Sequence, residues 1–259
     1  MFAGVRRIPL LIALLFAADC ALALIPVIDY AAGHPFPRLS NLFNLDTERT
    51  VPTWYSSMQW LCAGAMFALF ASHAWRSRMR GASSIVALAL ACVTFSIDEV
   101  AEIHERLGFA TDALLSGGSR DGTALWSTGL WPFVIGIPAI AVLAVAVRGT
   151  RHILIARAPR ALTLLIGGFI VMFTGALVVE LASNLVNAGA ARGGAFLTQV
   201  VIEEGLEMLG VTLITWSAFT LLQVHGFELR LPAVARERPV AVSVRRAAAA
   251  SASVQSAGS

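Results

Sequence analysis

Carboxylates carry the chemistry that this sequence offers. Asp98, Glu99, Glu102 and Glu105, with His104 among them, close one apolar stretch; Glu180, Asn184 and Asn187 close a second; Glu203, Glu204 and Glu207 open a third. On a helix, the spacing of Asp98, Glu102 and Glu105 keeps them within an arc of about 60°, and Glu180, Asn184 and Asn187 repeat that spacing. Glu203, Glu204 and Glu207 cover about 100°. Glu99 falls off its helix's stripe, and His104 falls nearly opposite it.

Such oxygen-rich, histidine-poor sets suit hard ions. The candidate metal ligands are Asp98, Glu102, Glu105, Glu180, Asn184, Glu203, Glu204 and Glu207, and Ca²⁺, Mg²⁺ or Mn²⁺ is expected ahead of zinc or a di-iron pair. The di-iron signature Glu-x-x-His is absent from the chain. No Gly-x-Ser-x-Gly, His-Glu-x-x-His or phosphate-binding loop occurs, so no catalytic residue is assigned.

Chain length decides where these acids lie. The uncharged runs Gly81–Ile97 and Met208–Val224 hold 17 residues each, and the run before Glu180 holds 19. All three fall short of the roughly 20 residues that cross the hydrocarbon of a bilayer. The acids therefore belong at or inside one edge of a membrane. There they must face a bundle interior or a water-filled cavity, because lipid offers them no partner. The competing reading is that they are solvated at helix ends and paired with Arg106 and Arg192. Against it, two of the three clusters sit at helix C-termini, where the dipole disfavours a carboxylate by about 0.3–1 kcal/mol. Crowded carboxylates also repel unless they share protons or bind a cation.

The elements that must position them follow from composition. Of 259 residues, 57% are apolar and 14% charged, against about 25% charged in soluble domains, and the mean hydropathy is +0.75. This excludes a disordered chain, a disulfide scaffold and an ordinary soluble enzyme. The expected fold is all-α: a polytopic bundle of six transmembrane helices near 8–28, 54–74, 83–106, 128–147, 161–187 and 197–223, within a domain of residues 1–231. The tail 232–259, mostly Ala, Ser, Val and Arg, is expected to be disordered. Arg6 and Arg7 ahead of an apolar run, with Ala21-Leu22-Ala23 behind, would also suit a cleaved signal peptide. A retained helix is preferred because the apolar run continues to Val27.

Orientation comes from arginine, the chain having no lysine. Fourteen of the 19 arginines fall before the first span, between the second and third, between the fourth and fifth, or after the sixth. Cytoplasmic loops carry the basic excess, so both termini are placed in the cytoplasm of a bacterial-type inner membrane. The pI of 9.1 thus reports orientation rather than nucleic-acid binding. Trp54, Tyr55, Trp60, Trp126 and Trp131 open spans where indole and phenol rings prefer to sit. Cys20, Cys62 and Cys92 are isolated in apolar runs and read as inert thiols.

Asp19 stands apart, halfway along the first span, where a carboxylate costs about 2.5–3.5 kcal/mol. It reads either as a protonated acid bonded within the bundle or as the floor of the acidic cavity or a proton path. Three functions fit: a metal-dependent membrane enzyme acting on a lipid or lipid-linked substrate, a cation- or proton-coupled transporter, and a structural or sensing protein held by a bound ion. The topology is tested by reporter fusions at Ser119 and at the C-terminus. The C-terminal fusion should be active only as a cytoplasmic reporter and the Ser119 fusion only as an external one.

Overall fold

The computed structural model describes residues 8–115, 117–120, 123, 125–126, 128–187 and 193–227. Arg6, Arg7 and the tail 232–259 lie outside the described residues. Among those described there is no strand. Helix α1 spans Leu10–Ala31, and a short α2, Pro37–Leu42, lies in the loop after it. Helix α3 spans Val51–Arg76, α4 Ala82–Ala101 and α5 Ile103–Ala110. A wide π turn at Pro132–Gly136 leads into α6, Ile137–Arg157. Helix α7, Pro159–Phe173, runs through a second π segment, Thr174–Val179, into α8, Glu180–Asn187. Helix α9 covers Gly194–Val224.

Five stretches are long and apolar enough to cross a membrane: Leu10–Ala31, Ala82–Ala101, Pro132–Arg157, Pro159–Asn184 and Gly194–Val224. The sixth expected span corresponds to α3, which is 26 residues long but falls short in apolarity. The reason is visible in its packing: Ser56, Ser57 and Gln59 lower its hydropathy and are all buried against other helices.

Helices α3 and α9 form the middle of the bundle. Helix α9 packs on α1, α3, α7 and the second π segment; α3 packs on α4; and α4 and α7 both pack on α6. The buried centre is built from Trp60, Phe67, Phe70, Ile85, Leu88, Leu154, Leu165, Ile214 and Leu221. Large apolar side chains on the outside, such as Leu10, Leu14, Val142, Val145 and Ile170, remain exposed, as lipid-facing residues do. Because lipid is as apolar as leucine, helix association here depends on close packing and interhelical hydrogen bonds. Ser57 Oγ donates to the carbonyl of Ser96, 2.8 Å away, joining α3 to α4. Ser217 Oγ donates to the carbonyl of Ala161 at 2.7 Å, joining α9 to α7.

Helices α7 and α9 approach closely at Gly168 and Gly210. A Cβ on Gly210 would lie 2.6 Å from Met172 N and 2.7 Å from the Gly168 carbonyl oxygen, both backbone atoms that cannot step aside. Gly210→Ala should therefore separate the helices and cost about 1–3 kcal/mol. Gly205→Ala, on the same helix with nothing within 4 Å of its added Cβ, should be neutral or stabilising, since Ala favours a helix over Gly by about 1 kcal/mol. Thermal melts of both variants in detergent measure the difference.

Candidate functional site

The acids converge because helix direction and span length set them at one level. Helix α4 reaches this end of the bundle with Asp98 and Glu99, α8 begins there with Glu180, and α9 starts back from it with Glu203, Glu204 and Glu207. A cavity of about 290 Å³ lies between them, and the eight carboxyl-bearing residues on its wall are Glu48, Asp98, Glu99, Glu105, Glu180, Glu203, Glu204 and Glu207. His104 and Arg120 line it too, and Trp60, Phe95, Phe109, Trp131 and Phe173 supply aromatic surface.

Of the eight expected ligands, six reach this wall: Asp98, Glu105, Glu180, Glu203, Glu204 and Glu207. Glu102 does not. Helix α4 was expected to continue to residue 106, but it stops at Ala101, and Glu102 adopts left-handed backbone angles of φ 57° and ψ 37°. Such a conformation is uncommon for a residue other than glycine and ends the helical phase. The Glu102 carboxylate turns to Arg49, 3.6 Å away, and Arg106, 3.5 Å away. Asn184 also stays off the wall. Its Nδ2 donates to Thr128 Oγ1 and to the Glu180 carbonyl, so it ties α8 to the loop before α6. The side chain of Asn187 lies outside the described residues.

The same break brings in His104, which a continuous helix would have turned away. The Asp98 carboxylate caps α5, accepting the His104 backbone N–H at 3.1 Å on Oδ1 and contacting His104 Nδ1 at 2.8 Å through Oδ2. The His104 ring meets Trp131 edge-on, with centroids 5.1 Å apart. Glu99, still within α4 and ahead of the break, lines the cavity beside it. Glu48 arrives from the loop before α3, where no helical phase announces it. Arg120 is held by Asp112, with Nε 3.0 Å from Oδ1, and its guanidinium lies 4.9 Å from the centre of the Phe109 ring.

Neighbouring backbone positions the acids as well. The π segment Thr174–Val179 approaches α9 through Gly175, where a Cβ would come within 2.6 Å of the Glu203 carbonyl oxygen and 3.0 Å of Glu207 Cγ. Trp131 Nε1 points at Glu180 Oε1 across a long 3.4 Å. Asp19 does not line the cavity. It is buried between α1, α3 and α9, where Tyr55, Gln59 and Thr212 surround it.

The local field is strongly negative, and the groups outside the spans register it. Burial pushes the Glu48 carboxyl up to about 7, helped by the charges of Glu99 and Glu105. Burial alone would depress the His104 imidazole, but the hydrogen bond and charge of Asp98, with Glu99 and Glu105 beyond it, lift it to about 9. Among the described residues, no three His, Cys, Asp or Glu side chains are gathered as a group that could hold a metal ion. The acids surround a space rather than a point.

Fold and site together define a class: a multi-pass, all-α membrane protein with an acid-lined chamber at one end of its bundle. Within that class the chain belongs to the family described as Domain of unknown function (DUF8692), which matches residues 8–222. No curated protein and no solved structure matches it.

The His104 environment makes stability depend on pH. Its folded value, about 9, lies above the ordinary 6.5. The stabilisation it supplies is thus complete below pH 6.5 and lost as pH rises through about 9. Melting temperature measured from pH 6 to pH 10 should fall more steeply for the wild type than for His104→Gln. Parallel curves would show that the imidazole carries no such charge.

Proposed function

We propose that this protein is a membrane-embedded cation-binding protein whose chamber faces outward from a bacterial-type inner membrane. The observation that carries this reading is the wall itself: eight carboxyl groups from a loop, α4, α5, α8 and α9 around one space, with Arg120 and His104 as the cationic groups lining it. Like charges in a low-dielectric layer repel unless protons or a cation offset them. In this reading α3 is the sixth span, and both termini are cytoplasmic, as the arginine distribution supports.

A divalent ion, Ca²⁺, Mg²⁺ or Mn²⁺, is the proposed ligand. The acids line a cavity of about 290 Å³ without forming a close ligand set, so the ion keeps much of its water and is held through it. Magnesium in particular loses water reluctantly and is bound elsewhere through few direct carboxylates.

A second reading, cation- or proton-coupled transport, has one observation in its favour. Two π segments, Pro132–Gly136 and Thr174–Val179, flank the chamber and contribute Ile135, Gly136 and Ala176 to its wall. Wide turns of this kind recur at functional sites, and interrupted helices are a feature of transporters. A metal-dependent enzyme acting on a lipid shares the same ion but lacks an assigned nucleophile.

Ion binding to the folded state raises stability by RT ln(1 + [L]/Kd), about 2.7 kcal/mol at a hundredfold excess over Kd. The purified protein should melt later in Ca²⁺, Mg²⁺ or Mn²⁺ and earlier after chelation. Glu204→Gln and Glu207→Gln should each lose most of that shift, and Glu237→Gln should keep it. If none of the three ions moves the melting temperature, the divalent reading fails. A proton uptake or release on adding a monovalent cation would then favour coupled transport.

A further inference from the structure

A second polar site lies away from the chamber. Asp19 on α1 is 5% exposed, Gln59 on α3 2% and Thr212 on α9 0%. Tyr55 Oη lies 2.6 Å from Asp19 Oδ1 and 3.0 Å from the Leu15 carbonyl oxygen. Thr212 Oγ1 lies 2.8 Å from Asp19 Oδ2. Gln59 Nε2 approaches Asp19 Oδ1 at 2.9 Å, Tyr55 Oη at 2.9 Å and Thr212 Oγ1 at 2.8 Å.

Counting hydrogens decides what this arrangement needs. Three short contacts join oxygen to oxygen: Tyr55 to Leu15, Tyr55 to Asp19, and Thr212 to Asp19. The two hydroxyl groups bring one hydrogen each. Both amide hydrogens of Gln59 are engaged along its own nitrogen–oxygen lines, so they cannot serve an oxygen–oxygen contact. Tyr55 has one hydrogen for two oxygens: given to Asp19 it leaves the 3.0 Å contact with the Leu15 carbonyl unmade, and given to Leu15 it leaves the 2.6 Å pair without one, and a buried polar contact left unmade is costly. The missing hydrogen has one source left, the Asp19 carboxyl.

We propose that Asp19 is a proton-binding site at the centre of the α1–α3–α9 contact, loaded in this structure. The Asp19 hydroxyl donates to Tyr55 Oη, Tyr55 donates to the Leu15 carbonyl, and Thr212 donates to the other Asp19 oxygen. Releasing the proton would turn the Tyr55 hydrogen from Leu15 to Asp19, so the way α1 is tied to α3 depends on the proton.

Among the described residues, the helices around Asp19 place no cationic side chain against it. Helix α1 has Asp29 as its one further ionised group, paired with His34 at the helix end. Helix α3 between Val51 and Trp75 carries no Asp, Glu or Arg, and His73 lies far along it. On α9 the titratable neighbours are Glu203, Glu204 and Glu207, which line the chamber. Arg160 on α7 is engaged over Trp216, 4.7 Å from the ring centre, and Trp216 in turn meets Phe16. The separations of 2.6–3.0 Å between these oxygens are those of O–H···O hydrogen bonds.

This site stands independently of the chamber, because Asp19 does not line it. The experiment is infrared spectroscopy at neutral pH on full-length protein carrying carboxyl-¹³C aspartate, which separates aspartate from glutamate bands. The wild type should show a protonated aspartic carboxyl band. Asp19→Asn should remove it, and Tyr55→Phe should shift its frequency by taking away its hydrogen-bond acceptor. Absence of the band in the wild type, or its survival in Asp19→Asn, overturns the proposal. If Asp19→Asn does not accumulate, the wild-type and Tyr55→Phe spectra decide, and a band unmoved by Tyr55→Phe also overturns it.

Discussion

A polar group inside a bilayer has no solvent to turn to, and nearly every feature of this bundle answers to that constraint. The helices richest in buried polar side chains, α3 and α9, occupy the middle, where Ser57, Gln59, Thr212 and Ser217 find partners on neighbouring helices. The more uniformly apolar α1, α6 and α7 pack around them. The acids are then concentrated at one end, where a cavity can admit water or an ion. The same rule places Asp19 among three polar side chains, Tyr55, Gln59 and Thr212, rather than against lipid.

The acid-lined end depends on interrupting a helix that local propensity would continue. An unbroken α4 through residue 106 would send Glu102 toward the bundle and His104 away from it. Stopping at Ala101 exchanges the two. The cost is a left-handed glutamate, Glu102, and the compensation is the Asp98 cap with its bonds to the His104 backbone and ring. Electrostatics runs with this exchange: a histidine brought beside Asp98, Glu99 and Glu105 offsets part of a negative field, while Glu102 finds arginines outside.

Much of this was legible in the sequence because level and direction follow from length. Short uncharged runs had to leave Asp98, Glu180 and Glu207 near one edge of the membrane, and alternating helix direction brought those edges together. What escaped was whatever depends on local backbone. The phase of α4 fails at Glu102 because one residue leaves the helical region. Asn184 follows a π segment, which changes the face its helix presents. Glu48 and Arg120 come from loops, where no periodicity speaks for a residue's direction. Helix α3 was expected as a span on length and absence of charge, yet the serines and glutamine that pack inward lower its apolarity.

The π segment Thr174–Val179 has a bearing on how this sequence can vary. A wide turn accommodates more chain than a regular helical turn of 3.6 residues, so it stores an insertion without lengthening the helix it interrupts. Removing one residue there would restore a regular helix and rotate all that follows by about 100°. Glu180 would swing off the wall and Asn184 would leave Thr128, while the hydropathy of the span stayed almost unchanged. Length at this point is therefore constrained in a way that composition is not. A one-residue deletion within 174–179 is more disruptive to the chamber than many substitutions, though it removes no charged or polar ligand at all.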